Sequence, residues 1–128
     1  MSHDVETLEI IEETTPDYEG TLFDKDEVTV IPGSVLDSLT LTYFQEYSEV
    51  IINSRNGQNV LQVNGVTVDE LGRIRWTLSL ADAVILDDSL HQEPHIAQFN
   101  LTYPGASGEE VSTHRVRILV TNLSKVGI

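Results

Sequence analysis

From residue 18 onward the side chains alternate between apolar and polar with a period of two, and this pattern constrains the fold more than any single motif. Leu39, Leu41 and Tyr43 alternate with Thr40, Thr42 and Phe44, and Ile74, Trp76 and Leu78 with Arg73, Arg75, Thr77 and Ser79. Ala97, Phe99, Leu101 and Tyr103 alternate with Gln98, Asn100 and Thr102, and Val116, Ile118 and Val120 with Arg115, Arg117 and Leu119. Successive side chains of a strand point to opposite faces, so each run has one buried and one wet face, as antiparallel sheets require. Val50-Ile51-Ile52 is a further strand candidate, too short for a helix and bounded by the polar turn Ser54-Arg55-Asn56-Gly57. Gly20, Gly33, Gly57, Gly65, Gly72 and Gly105 punctuate the runs, and Asn56-Gly57 and Asn64-Gly65 are the strongest turn signals.

About seven such runs, with turns at roughly 8–12-residue spacing, predict an all-β chain folded as an immunoglobulin-like antiparallel β-sandwich. The chain has no cysteine, so no disulfide can staple the sheets, and Trp76, with Tyr43 and Phe99, is expected to anchor the core. One or two short helical turns are expected. Ser79-Leu80-Ala81-Asp82 has the spacing of a capping box and leads into Ala83-Val84-Ile85-Leu86, and Gln58–Gln62 is a second candidate.

The charge is unevenly distributed. The 128 residues carry a formal charge of −14, and residues 1–27 hold −9 of it, with ten acids against Lys25. Residues 94–128 balance at +1. This divides the chain into an acidic N-terminal arm, residues 1–17, and a sandwich domain, residues 18–128. Val5, Leu8, Ile10 and Ile11 interrupt the acids and could form a short strand that pairs with a partner. The bases form i, i+2 pairs on strand faces, Arg73 with Arg75 and Arg115 with Arg117. Neighbouring strands would merge them into one basic stripe on which an acidic arm could lie; the plainer reading is cross-strand pairing with Glu or Gln of the same sheet. Such an acidic chain lacks the clustered Lys and Arg that nucleic-acid binding needs. No run approaches the ~20 apolar residues of a membrane span, and MSHDVETLEI lacks the basic-then-apolar layout of a signal peptide.

Residues suited to chemistry are few. His91 and His95 are four apart, but Pro94 between them breaks any helix that would aim both at one metal. His114 shares the inward parity of Val116, Ile118 and Val120 and reads as a structural cap of the core. Asp24-Lys25-Asp26-Glu27 and Asp87-Asp88 lack the spacing of a calcium loop. No nucleophile elbow, phosphate loop or dinucleotide fingerprint occurs, and Ser112 and His114 have no orienting acid. The reading is therefore non-enzymatic, with no catalytic residue, cofactor or metal assigned. Tyr18, Phe44 and Tyr47 are candidates for a carbohydrate platform.

Across residues 18–125 the order of motifs resembles a group of small β-sandwich proteins encoded among bacteriophage structural genes. The resemblance rests on SLTLTYF, IINSRNGQNVL, VTVDELGRIRW and LADAVIL, followed by HIAQFNLTYP and a closing HRVRILVTNL. It implies a virion component assembled in the host cytoplasm, a capsid decoration (cement) protein that binds the major capsid protein or other virion proteins and works as a homo-oligomer. A head–tail connector or baseplate adaptor is the alternative of the same class, and a sugar-binding or adhesion domain the alternative of another.

Overall fold

In the computed structural model, residues 6–105 and 108–125 are described. Eight strands follow one another: β1 (Glu6–Ile11), β2 (Asp17–Thr21), β3 (Ser38–Gln45), β4 (Gln58–Asn59), β5 (Val66–Val68), β6 (Arg73–Thr77), β7 (Gln92–Gly105) and β8 (Gly108–Thr121). They form a five-stranded sheet of order β1-β8-β7-β3-β4 and a three-stranded sheet of order β2-β6-β5. Every neighbouring pair is antiparallel except β1 and β8, which run parallel with Glu6 opposite Val116 and Ile11 opposite Thr121.

This order carries the topological assignment. The first strand joins the last, the last two form a hairpin beside β3, and β2, β6 and β5 make the opposing layer. That is the arrangement of an immunoglobulin-like sandwich, one sheet of the G-F-C type and one of the B-E-D type.

The period-two runs form strands because the alternation puts one face of each sheet inside. Leu39, Leu41, Tyr43, Phe99, Leu101, Val116, Ile118 and Val120 of the larger sheet bury against Ile74, Trp76, Val66 and Val68 of the smaller. Trp76 sits at the centre, edge-on to Tyr43 with ring centroids 5.2 Å apart and to Phe99 at 5.8 Å. Such edge contacts align the positive rim of one ring with the negative face of the next.

Four local expectations change. Val50-Ile51-Ile52 is not a strand; only Ile51 bridges to Phe44. Residues 79–86 form hydrogen-bonded turns rather than a helix, although Asp82 does accept the Ser79 N–H, at 2.8 Å. Gln58–Gln62 contributes β4 and a turn, and the short 3-10 turns lie instead at Gly33–Val35 and Leu123–Lys125. Pro94, read as a helix breaker, lies inside β7 where the ladder with β3 stops, and its carbonyl still accepts the Glu46 N–H at 2.9 Å. There a missing N–H costs the ladder nothing.

The division at residue 17 is not a structural boundary. Residues 6–11 are a full edge strand of the larger sheet, with Ile10 in the core and Leu8 packed against it. The strand the N-terminal apolar residues were expected to form exists, and its partner is β8 of the same chain. Ile11 alone of this group is exposed, and Val5 lies outside the described residues.

Candidate functional site

The two arginine pairs do not combine. Arg73 and Arg75 lie on β6 of the three-stranded sheet, whereas Arg115 and Arg117 lie on β8 of the five-stranded one. Both pairs point outward from opposed layers, so the single basic stripe does not form. Each base is met locally instead. Arg75 bonds Asp17 of the neighbouring strand at 2.7 Å, and Arg73 bonds Asp69 at 3.0 Å. Arg115 donates to Gln98 directly opposite, at 3.0 Å, and Arg117 to Glu46 at 2.9 Å. Same-sheet pairing accounts for Arg75 and Arg115. A shallow groove on the smaller sheet is lined by Glu19, Thr67, Asp69, Arg73 and Arg75, whose charges already offset one another.

The titratable residues that sequence spacing singled out are spread through the fold. His95 is buried and His91 exposed. His114 lies half-buried where parity placed it, its Nε2 2.6 Å from the Tyr18 hydroxyl and its ring beside Phe99. Tyr18 is thereby withdrawn into the core, leaving Phe44 half-buried and Tyr47 exposed as the other platform candidates. Among the described residues no group of three metal-capable side chains converges.

A buried polar chain escaped sequence reasoning. Glu93 on β7 accepts from His95 at 2.5 Å, from Gln45 at 2.8 Å and from the N–H groups of Leu86 and Asp87 at 3.0 and 2.7 Å. His95 Nδ1 meets the Tyr43 hydroxyl at 2.9 Å, and that hydroxyl also reaches the Asp82 carbonyl at 2.9 Å. Asp82 in turn forms a two-pronged pair with Arg55, and Arg55 lies over the Trp76 ring, 5.6 Å from its centroid. Burial pushes Glu93 and Asp82 up, but the donors around each outweigh it and hold both carboxyls below the ordinary range. Burial pushes His95 down against the pull of Glu93, which its Nε2 faces. Tyr43, Asp82, Glu93 and His95 are fully out of water, and the chain ties the connections 46–57 and 78–91 to the sheets. Only Arg55 and Glu93 sitting beside inward positions hinted at it.

The open, shaped surface is one end of the sandwich. β2, β5 and β7 finish there, and β3, β6 and β8 begin there, so connections 22–37 and 69–72 lie at the same end as the paired ends of β7 and β8. They are bonded to one another. Ser34 donates to Glu70 through Oγ at 2.6 Å, Ser112 Oγ donates to the Phe23 carbonyl at 3.1 Å, and Lys25 pairs with Glu110. The Tyr103 hydroxyl donates to Asp24; burial and that carboxylate push the phenol up to about 12.

Each loop is also braced internally. Asp26 accepts the N–H groups of Val28 and Thr29 at 2.9 and 2.8 Å, and Asp69 those of Leu71 and Arg73 at 2.9 and 3.0 Å. These bonds hold both carboxyls below the usual range, Thr29 acting first on Asp26 and the Arg73 N–H on Asp69. On this braced frame four aliphatic side chains face water: Val28, 74% exposed, Leu71, 63% exposed, and Val30 and Val35. Asp24, Asp26, Glu27, Asp69, Glu70, Glu109 and Glu110 lie on the same connections and strand ends, with Lys25 and Arg73. Exposed aliphatic side chains on loops that also carry many acids mark this end as the candidate contact surface.

No family model and no curated protein matches the sequence. A solved structure, "Chimeric titin Z1Z2 functionalized with a KLER exogenous peptide from decorin", aligns over 94% of this chain at 11% identity with a TM-score of 0.33. The chain spans 45% of that structure's length. The strand order described above, and not this likeness, carries the immunoglobulin-like assignment.

Proposed function

We propose that the protein is a non-enzymatic virion component of a tailed bacteriophage, a capsid decoration protein that docks through the loop end of its sandwich. The virion setting comes from the sequence resemblance over residues 18–125. The docking face comes from one observation: Val28, Val30, Val35 and Leu71 are held in water on loops whose polar groups are already bonded to one another. Loops braced before contact lose little conformational freedom on binding, which favours affinity. The acids on these loops select a basic surface on the capsid and repel packaged nucleic acid. Because β1 is committed to its own sheet, it is not the docking element.

The test is co-sedimentation of the purified chain with capsids that lack it. Wild type is expected to pellet with the particles, and the Val28→Asp, Leu71→Asp variant to stay in the supernatant with its melting unchanged. Particles that bind both equally, or neither, overturn the proposal.

A further inference from the structure

We infer that Asn56-Gly57 is a site of spontaneous deamidation, at which Asn56 becomes isoaspartate or aspartate, and that Thr42 sets its pace. The inference stands apart from the virion reading. The Gly57 nitrogen gives its proton to a solvent base and attacks Asn56 Cγ. The N–Cγ bond forms, the Cγ–Nδ2 bond breaks, and Nδ2 takes up a proton and leaves as ammonia, closing a succinimide. Water then adds to either ring carbonyl and opens the ring, leaving one new carboxylate. A side chain on the second residue would crowd the attacking nitrogen, and of the asparagines in this chain only Asn56 and Asn64 precede glycine.

The fold separates these two. Asn56 is exposed and its side chain bonds nothing among the described residues, so Cγ is free to swing onto the next nitrogen. Gly57 has a left-handed φ of 64°, and a Cβ placed there would meet nothing within 4 Å, which leaves room for the ring. Its N–H donates to Thr42 Oγ1 at 3.0 Å. That bond must yield before the nitrogen attacks, so it acts as a brake. At the other site the side chain itself is tied, with Asn64 Nδ2 donating to the Asn59 carbonyl at 2.8 Å. The Gly65 carbonyl accepts the Thr77 N–H at 2.9 Å, and a Cβ at Gly65 would lie 2.9 Å from the Thr77 carbonyl. A ring there would be built against β6. Asn64 has to release both its side chain and the Gly65 backbone, Asn56 one N–H, and each bond released costs about tenfold in rate. The product bears on the fold because Arg55 is the preceding residue. Its carbonyl accepts the Tyr43 N–H at 2.9 Å and its guanidinium pairs with Asp82, and an isoaspartate adds a carbon to the main chain directly after that anchor.

The test is incubation of the folded full chain in mildly alkaline buffer, with each site followed by peptide mass spectrometry and isoaspartate marked by enzymatic methylation. Asn56 is expected to convert first, with Asn64 slower by about tenfold. In urea, where only the shared Asn-Gly sequence acts, the two rates are expected to converge. Thr42→Val keeps the β-branched shape on β3 but removes the acceptor, and is expected to speed Asn56 severalfold with Trp76 fluorescence unchanged. Thr42→Ala serves the same purpose should the valine variant misfold. Asn64 converting as fast as Asn56 in the folded chain, or Asn56 staying intact there while it converts in urea, would overturn the inference. So would an order of sites that urea leaves unchanged, or a folded Thr42 variant as slow as wild type.

Discussion

Arg55 and Asp82 face each other as a two-pronged pair out of water, with Nε donating to Oδ1 at 2.7 Å and Nη2 to Oδ2 at 2.9 Å. The pair joins the β3–β4 connection to the β6–β7 connection, and neither segment has regular structure across most of its length. Removing one partner leaves the other charge buried and unpaired, so Arg55→Met or Asp82→Asn is expected to cost about 3–5 kcal/mol in urea unfolding. Arg55→Met with Asp82→Leu removes both charges and recovers only part of this. Asp82 also accepts from Ser79 and Asn53, whose donors would then be stranded. A single substitution costing under about 1 kcal/mol would show that the pair is screened by solvent.

Stability is expected to fall with acid in two stages. Burial holds His95 and His114 below the ordinary imidazole range, whereas in the unfolded chain each titrates near about 6.5. The unfolded state therefore binds protons that the folded state refuses, and stability is lost as pH drops below about 6.5. Glu93 and Asp82, held low against their burial by surrounding donors, keep their contribution until the pH falls through the carboxylate range. Urea midpoints measured across pH check this. The His95→Gln, His114→Gln variant is expected to lose the slope between about pH 7 and 5 and to keep the later loss. A midpoint in that variant as steep as wild type's would place the titration elsewhere.

Two glycines separate backbone strain from packing. Gly57 and Gly72 both have left-handed backbones, with φ of 64° and 73°. A Cβ at Gly57 meets nothing within 4 Å, so Gly57→Ala is expected to cost about 1–2 kcal/mol for the conformation alone. At Gly72 the same atom would lie 2.2 Å from Val30 Cγ1 and 2.9 Å from the Ile31 carbonyl. Gly72→Ala should therefore cost more and disturb the docking end, where Val30 is exposed. Equal melting shifts for the two variants would contradict the geometry described for the loop.

The regular sheets were readable from the sequence because their signal is local. Alternation at Leu39–Tyr43, Ile74–Leu78, Ala97–Tyr103 and Val116–Val120 fixed which face is inside, and therefore which aromatic rings meet. What was not readable depends on partners distant in sequence. Residues 6–11 are acidic enough to resemble a solvated arm, yet the hydrogen bonds offered by β8, more than a hundred positions away, make them an edge strand. The arginine pairs looked adjacent because each is regular on its own strand; their separation is set by which sheet each strand joins. Asp82 reads as the acid of a capping box and nothing local marks Glu93 as buried; only the convergence of His95, Gln45, Arg55 and backbone donors makes their burial tolerable. The docking end was invisible for the same reason: Val28 and Leu71 are isolated apolar residues in polar loops until the fold brings those loops together.

Counting copies of the chain per purified particle by quantitative mass spectrometry tests the decoration reading most directly. The account predicts a number in proportion to the capsomers, reduced sharply in particles assembled with the Val28→Asp, Leu71→Asp variant. A single ring's worth per particle, or none, would contradict it.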